Sequence, residues 1–261
     1  ENTRLDMFHK LITVAMHGAL HRADFSTPRG ILHALDVGYG TGIWLLDMAD
    51  LYPSARLYGI DTVPEVDFEQ PDWGFAHGSF DYIHMSQLLG SVSDWERLCR
   101  TAFRYLAPGT GRLELVEVDW EPCCDDGTLS PSLQEPINLW WQCMLEATRA
   151  TGKSIAYPRN IRAILEHIGF EVELEEKVRI ESWDNKVAEN DRIREITRWY
   201  FGIMGHSPPD SVGDALDSWS GLSMALFTQK LNWHPADVMR LQDSILNNNV
   251  MRSSIHLHHF L

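Results

Sequence analysis

Long apolar runs are missing from this sequence. No stretch of its 261 residues approaches the roughly 20 consecutive apolar residues of a membrane span. An excess of positive charge is missing as well. Lys and Arg number 22 against 37 Asp and Glu, a formal charge of −15, the wrong sign for neutralising phosphates or resting on anionic lipid. Neither nucleic acid nor a membrane surface is therefore an expected partner. Cysteine is scarce: Cys99, Cys123, Cys124 and Cys143 lack paired CxxC spacing and are too few for a disulfide scaffold, so they read as ordinary thiols. His256, His258 and His259 alternate with apolar residues, a strand pattern rather than a ligand set, and no metal is expected. The opening Glu1–Asp6 has no apolar signal-peptide core, and the expectation is a soluble intracellular protein, cytoplasmic in the first instance.

Internal repeats and low-complexity linkers are also missing, so one domain over residues 1–261 is expected. With 44% hydrophobic residues the chain can bury an ordinary core. Apolar side chains at Leu5, Phe8, Leu11, Ile12, Ala15, Met16 and Ala19 predict an N-terminal helix. Ile31–Val37 then reads as a buried strand, Ile43–Tyr52 as a helix closed by Pro53, and Ala55–Asp61 as the next strand. Phe80–Met85 (strand), Asp94–Leu106 (helix) and Arg112–Val118 (strand) continue the alternation. Such alternation calls for an α/β fold, a mostly parallel sheet wrapped on both faces, with its ligand beyond the carboxyl ends of the strands. Leu133–Thr151 and Asn160–Ile168 predict helices, Phe170–Ile180 a strand. Further helices at about 193–204, 214–230 and 235–248 precede a terminal strand at 255–260. The core is thus placed at about 30–120 with the strands near 170–180 and 255–260, and a helical lid at about 125–150 and 186–248.

The informative stretch is Leu35-Asp36-Val37-Gly38-Tyr39-Gly40-Thr41-Gly42-Ile43-Trp44, three alternating glycines directly after a buried strand and directly before a helix. Glycine suits a place where the chain turns tightly and a ligand lies against its backbone, and the helix start offers unpaired amides. A dinucleotide GxGxxG beginning at Gly38 would need glycine where Ile43 stands. Asp61 ends the second strand 19 residues after Gly42, where a carboxylate can take both ribose hydroxyls, with Thr62 beside it.

Asp-x-Gly-x-Gly-x-Gly instead resembles the class I S-adenosylmethionine-dependent methyltransferases, whose fold is Rossmann-like with a mostly parallel sheet of the seven-stranded type. Glu1–Asp6, Gly40–Trp44, Asp67–Pro71, Phe80–His84, Gly90–Trp95, Asp125–Leu129 and Ser253–His256 narrow the resemblance to the fungal LaeA-like methyltransferases of secondary metabolism, over nearly the whole chain. The resemblance implies S-adenosylmethionine as cofactor, with Asp36 at its methionine amino end, Gly38, Tyr39, Gly40 and Gly42 around it, Asp61 and Thr62 at the ribose, and Asp67 and Phe68 at the adenine. His84 belongs to the same set. Two departures stand out. Tyr39 replaces the usual Thr or Cys and brings a phenol to the methionine end. Only five residues separate Asp61 from Asp67, too few for a crossover helix and strand, so either the third βα unit is reduced or a stretch is missing from the numbered chain.

Methyl transfer from a sulfonium is an in-line displacement, and a base is needed only where the acceptor must lose a proton. His9, His84 and Asp119 are the candidates for that role, and Trp120, Trp140, Trp141 and Tyr157 for lining a substrate pocket. The leading reading is methylation of a small-molecule natural product at N, O or C. The alternatives are a cofactor-binding regulator that acts through protein partners, in the nucleus, and a cyclase that uses the sulfonium charge without transferring the methyl.

Overall fold

Residues His33–Val37 form β1, whose last four residues are all buried, as a strand covered on both faces requires. The computed structural model describes residues 2–25, 30–62, 67–124, 131–181, 218–247 and 255–260. Asn2–Ala15 is α1, Ile43–Leu51 α2, Arg56–Ile60 β2, Tyr82–Ser86 β3, Trp95–Tyr105 α3 and Arg112–Cys124 β4. Pro131–Arg149 is α4, Ile161–Ile168 α5, Lys177–Glu181 β5, Ser218–Lys230 α6, Pro235–Asn247 α7 and Ile255–Phe260 β6.

The strands form one sheet in the order β2-β1-β3-β4-β6-β5. β1, β2, β3 and β4 run parallel, while β6 lies antiparallel between β4 and β5. The chain reverses its strand order between β1 and β3, and the crevice there is where a doubly wound sheet receives its ligand. Six strands are found among the described residues rather than seven. Five residues cannot hold the helix and strand that would continue the sheet past β2, so β2 is its edge.

Local chemistry sets the boundaries. Asp94 caps α3 by accepting Arg97 N–H at 3.0 Å, and Leu98, Cys99, Ala102 and Tyr105 give α3 its buried face. Gly169, at φ +120°, ends α5. The strand expected over 170–180 is confined to β5, because the run Glu171, Glu173, Glu175, Glu176 is strand-poor and pairs outward, Glu173 with Arg112 at 3.2 Å and Glu175 with Arg162 at 2.7 Å. The expected helix at 193–204 lies outside the described residues, as does the rest of 186–217.

Two apolar layers flank the sheet. On one, α3 closes over Leu35, Val37, Ile83 and Met85 together with Phe68, Trp73 and Phe80. On the other, Trp44 and Met48 of α2 cover Ala34 and Tyr82. Beyond the end of β4, α4, α6 and α7 join α1 in a separate block around Phe8, Trp120, Trp140, Trp141, Phe227 and Val238.

Candidate functional site

The carboxyl ends of β1 and β3 open into a cleft of about 620 Å³ counting its open mouth. One wall is the glycine loop, Gly38 to Thr41. The opposite wall is the inner side of α1 and the turn after it: Leu5, Phe8, His9, Ile12, Met16 and Leu20. Asp36, His84, Ser86 and Gln87 supply the polar lining at the strand ends.

Gly38, Gly40 and Gly42 have φ of +76°, +52° and +76°, a region costly for any other residue type. At two of them a side chain would also crowd a leucine neighbour. A Cβ on Gly38 would stand 2.4 Å from Leu88 Cδ2, and one on Gly40 3.3 Å from Leu5 Cδ1. Gly42 is different: within 4 Å a Cβ there would meet nothing but Tyr39 Cδ2, at 3.9 Å. Helix α1 is fastened to the loop by Thr41, whose hydroxyl donates to Asp6 Oδ1 at 2.6 Å.

The parallel register makes Asp36, His84 and Glu114 consecutive partners in one row across β1, β3 and β4. His84 Nδ1 lies 2.8 Å from Asp36 Oδ1, and the Trp44 indole stacks flat on the imidazole, 4.1 Å away at 6°. Both partners are buried, where such a charge-assisted bond is screened little. Glu114 Oε2 accepts the amides of Arg22 and Ala23 at 2.9 and 3.2 Å, tying the segment after α1 to the sheet. On α1, His9 Nε2 lies 2.8 Å from Asp47 Oδ2 of α2.

Asp61 closes β2 and is not sequestered. Its Oδ2 accepts Gly40 N–H at 2.8 Å and its Oδ1 accepts Thr62 N–H at 2.6 Å, which leaves acceptor capacity on a carboxylate. Asp67 accepts Glu69 N–H at 2.9 Å. Phe68 is buried beside Gly38. The Tyr39 ring packs over Gly59, where a Cβ would stand 2.8 Å from Tyr39 Cδ1.

The structure does not bring every expected residue to the cleft. Asp119 is buried further along β4, with Arg159 Nη2 at 2.7 Å from its Oδ2. Burial pushes its carboxyl up, against the Glu121 amide and Arg159. Trp120 stands edge-on behind Phe8, 5.5 Å between centroids, and so backs the cleft wall. Trp140 and Trp141 lie in the core of the helical block, where Trp140 Nε1–H donates to Ser223 Oγ at 2.8 Å. Their helical spacing served packing. Tyr157 sits with Arg159 over its ring, and burial raises its hydroxyl's pKa.

Sequence reasoning missed Asp47, Gln87, Glu114 and Glu117. A visible signal existed for the two glutamates: carboxylates in a strand buried on both faces. Glu117 Oε1 accepts Leu88 N–H at 2.7 Å, and burial raises its carboxyl to about 8. Gln87 at the end of β3 has φ +58°, the kind of local strain that collects at functional sites.

A Rossmann-like sheet whose switch-point crevice is lined by a glycine loop, with an acid at the end of β2, defines a nucleoside-cofactor site. The methyltransferase-domain family model matches residues 14–175. The secondary metabolism regulator LAE1 of Cochliobolus heterostrophus is 37% identical over 218 residues, covering 77% of this chain and 68% of the relative. The protein-methionine methyltransferase laeA of Emericella nidulans is 31% identical over 277 residues, covering 100% and 68%. That alignment is longer than this chain's 261 residues, so the relative carries residues inside the matched span with no counterpart here. Among solved structures, a Haemonchus contortus phosphoethanolamine N-methyltransferase with S-adenosylmethionine is 16% identical at TM-score 0.47, covering 99% of this chain and 51% of that one.

The chain belongs to the LaeA-like class I methyltransferases, and S-adenosylmethionine is its cofactor. The residues present fit that group: open space over Gly42, a buried carboxylate at Asp36 and spare acceptors on Asp61. Among the described residues no cluster could hold a metal, and no helix is long and apolar enough to cross a membrane.

Proposed function

We propose that this protein methylates a small-molecule secondary metabolite, with α1 closing over the acceptor. The observation that carries the reading is the cleft itself: an apolar α1 wall facing a polar strand-end lining at the carboxyl ends of β1 and β3, the mix of surfaces that small-molecule sites present. The cofactor supplies an electrophilic methyl group. The glycine loop lets the cofactor lie against the backbone. Asp36, held by His84, receives the methionine amino end, Asp61 and Thr62 the ribose, and Asp67 and Phe68 the adenine. Tyr39 flanks the loop. His9 takes the proton of a hydroxyl or amine acceptor: Asp47 accepts its Nε2–H and fixes the tautomer, leaving Nδ1 as the basic nitrogen. The α4, α6 and α7 block acts as the lid, with Trp120 backing the α1 wall through Phe8, and the protein works in the cytoplasm.

A second reading has one observation in its favour. The Emericella nidulans relative is named a protein-methionine methyltransferase, so the acceptor here could be a protein side chain. The test incubates the purified protein with methyl-labelled S-adenosylmethionine and a fungal culture extract split into organic-soluble and protein fractions. Label in the organic fraction supports the proposal. Label confined to protein replaces it with the second reading, and cofactor binding with no label in either fraction favours a regulator or a cyclase.

A further inference from the structure

Strand β3 alternates its faces up to its last residue. Tyr82 and His84 meet the α2 side, where the Trp44 ring stacks on both, while Ile83 and Met85 are buried under α3. Ser86 continues the first row and lines the cleft. An extended residue at position 87 would follow Ile83 and Met85 to the α3 side. Gln87 instead has φ +58° and lines the cleft beside Ser86. The bend breaks the alternation, so two consecutive residues serve one cavity.

The turn itself does not call for glutamine. Gln87 N–H donates to Val116 O at 2.9 Å, a backbone bond open to any residue but proline, and glycine takes a left-handed φ without the strain a longer side chain meets. Gln87 is half-buried, and neither its carboxamide nor the Ser86 hydroxyl has a hydrogen-bond partner among the described residues. A carboxamide both donates and accepts, and strain of this kind collects where a fold holds a group for use. Other polar groups of the cleft are already engaged: Asp36 with His84 and His9 with Asp47, at 2.8 Å each. Among the described residues that line the cleft none is Lys or Arg. An anionic acceptor would therefore enter without a counter-charge, into a cleft that Asp36 also lines.

We propose that the Gln87 carboxamide, assisted by the Ser86 hydroxyl, positions the methyl acceptor, and that the acceptor is a molecule without an anionic group. The inference rests on the small-molecule reading above and names the class of molecule for that same cleft. The apolar wall of α1, with Phe8 and Ile12, takes the body of the acceptor, and the carboxamide takes an uncharged hydroxyl, carbonyl or amide on it. Gln87 transfers no proton. It fixes the orientation of the nucleophile, the part of an in-line displacement that positioning alone can supply.

The test uses methyl-labelled S-adenosylmethionine and the organic-soluble part of a fungal culture extract, separated beforehand into an acidic fraction and the non-acidic remainder. Each is offered to wild type, Gln87→Gly and Gln87→Met. Glycine keeps the turn and removes the side chain; methionine keeps the bulk and the backbone strain and removes the hydrogen bonds. Wild type should label the non-acidic fraction. Both variants should label it about three- to tenfold more slowly at limiting extract, the worth of one neutral hydrogen bond, while calorimetry finds their affinity for S-adenosylhomocysteine at the wild-type level. Wild-type labelling that favours the acidic fraction overturns the proposal, as does a wild-type rate in either variant. A loss of S-adenosylhomocysteine affinity that matches the loss of rate also overturns it, by placing the carboxamide on the cofactor. If wild type binds S-adenosylhomocysteine and labels neither organic fraction, the small-molecule reading falls and takes this inference with it.

Discussion

Asp36 and Glu117, buried on opposite faces of the sheet near its carboxyl end, have different partners. On the α1 side, Asp36 has a partner: His84 at 2.8 Å, itself clamped by Trp44. On the α3 side, Glu117 has backbone amides and no cation, and its carboxyl rises to about 8. At Glu117 the difference shows in its titration: burial outweighs the two amides it accepts, and the carboxyl is pushed up.

Four substitutions would break or sharpen that contrast. The largest effect is expected at the loop both faces share. Gly38→Val adds side-chain atoms in a left-handed conformation against Leu88. It should cost about 3 kcal/mol or more and abolish cofactor binding, read by chemical denaturation and calorimetry. Undiminished binding would mean the loop is not the cradle.

Glu117→Gln comes next, and its sign is opposite. The folded state holds a proton that the unfolded chain loses above its ordinary value of 4.5. Native stability therefore falls as pH rises from about 4.5 to 8 and levels off beyond. At 1.36 kcal/mol per pH unit the ceiling is roughly 5 kcal/mol, and about half that is a reasonable expectation. Urea denaturation should find the variant as stable as wild type at pH 4.5 to 5, where proteins with the raised carboxyl lose nothing, and more stable at pH 8. Parallel pH profiles would show that Glu117 is not the buried acid described here.

The helical block supplies the control region. Trp140→Phe removes the donor to Ser223, a fully buried hydroxyl, and should cost about 1–2 kcal/mol. Affinity for S-adenosylhomocysteine should not change, since Trp140 does not line the cleft. A matching loss of affinity would tie the block to the cofactor site directly. The smallest stability effect is expected for Asp61→Asn, within about 1 kcal/mol because the site is open to solvent. Its affinity for S-adenosylhomocysteine should nevertheless fall about tenfold if the carboxylate receives the ribose hydroxyls.

Much of this was legible in the sequence because it depends on local rules. The alternation of apolar runs and turns placed β1, α2, β2, β3 and α3 to within a few residues and the start of β4, which runs on six residues past the expected Val118. The glycine spacing after β1 marked the loop, and Asp61 stands at the end of β2 as its position required. The short Asp61-to-Asp67 connection left room for no helix and strand, whether the unit is reduced or a stretch is missing from the numbered chain, and β2 stands at the sheet edge. Trp140 and Trp141 are candidates on the sequence because they are aromatic on a segment expected near the pocket mouth, and their helical context allows packing instead; both lie in the core of the helical block. The acid-rich run after Phe170 was read as strand, yet its glutamates pair outward with Arg112 and Arg162.

The sequence by itself determined the class of fold, the glycine loop and the family, since each follows from residues close together along the chain. Only the tertiary structure decided which charges meet. Asp36 finds His84 48 residues away, His9 finds Asp47 38 residues away, and Glu117 finds the Leu88 amide in place of a cation. Strand register and helix docking set those encounters. A pairing between distant segments depends on distance and dielectric in three dimensions, and neither is written in residue spacing.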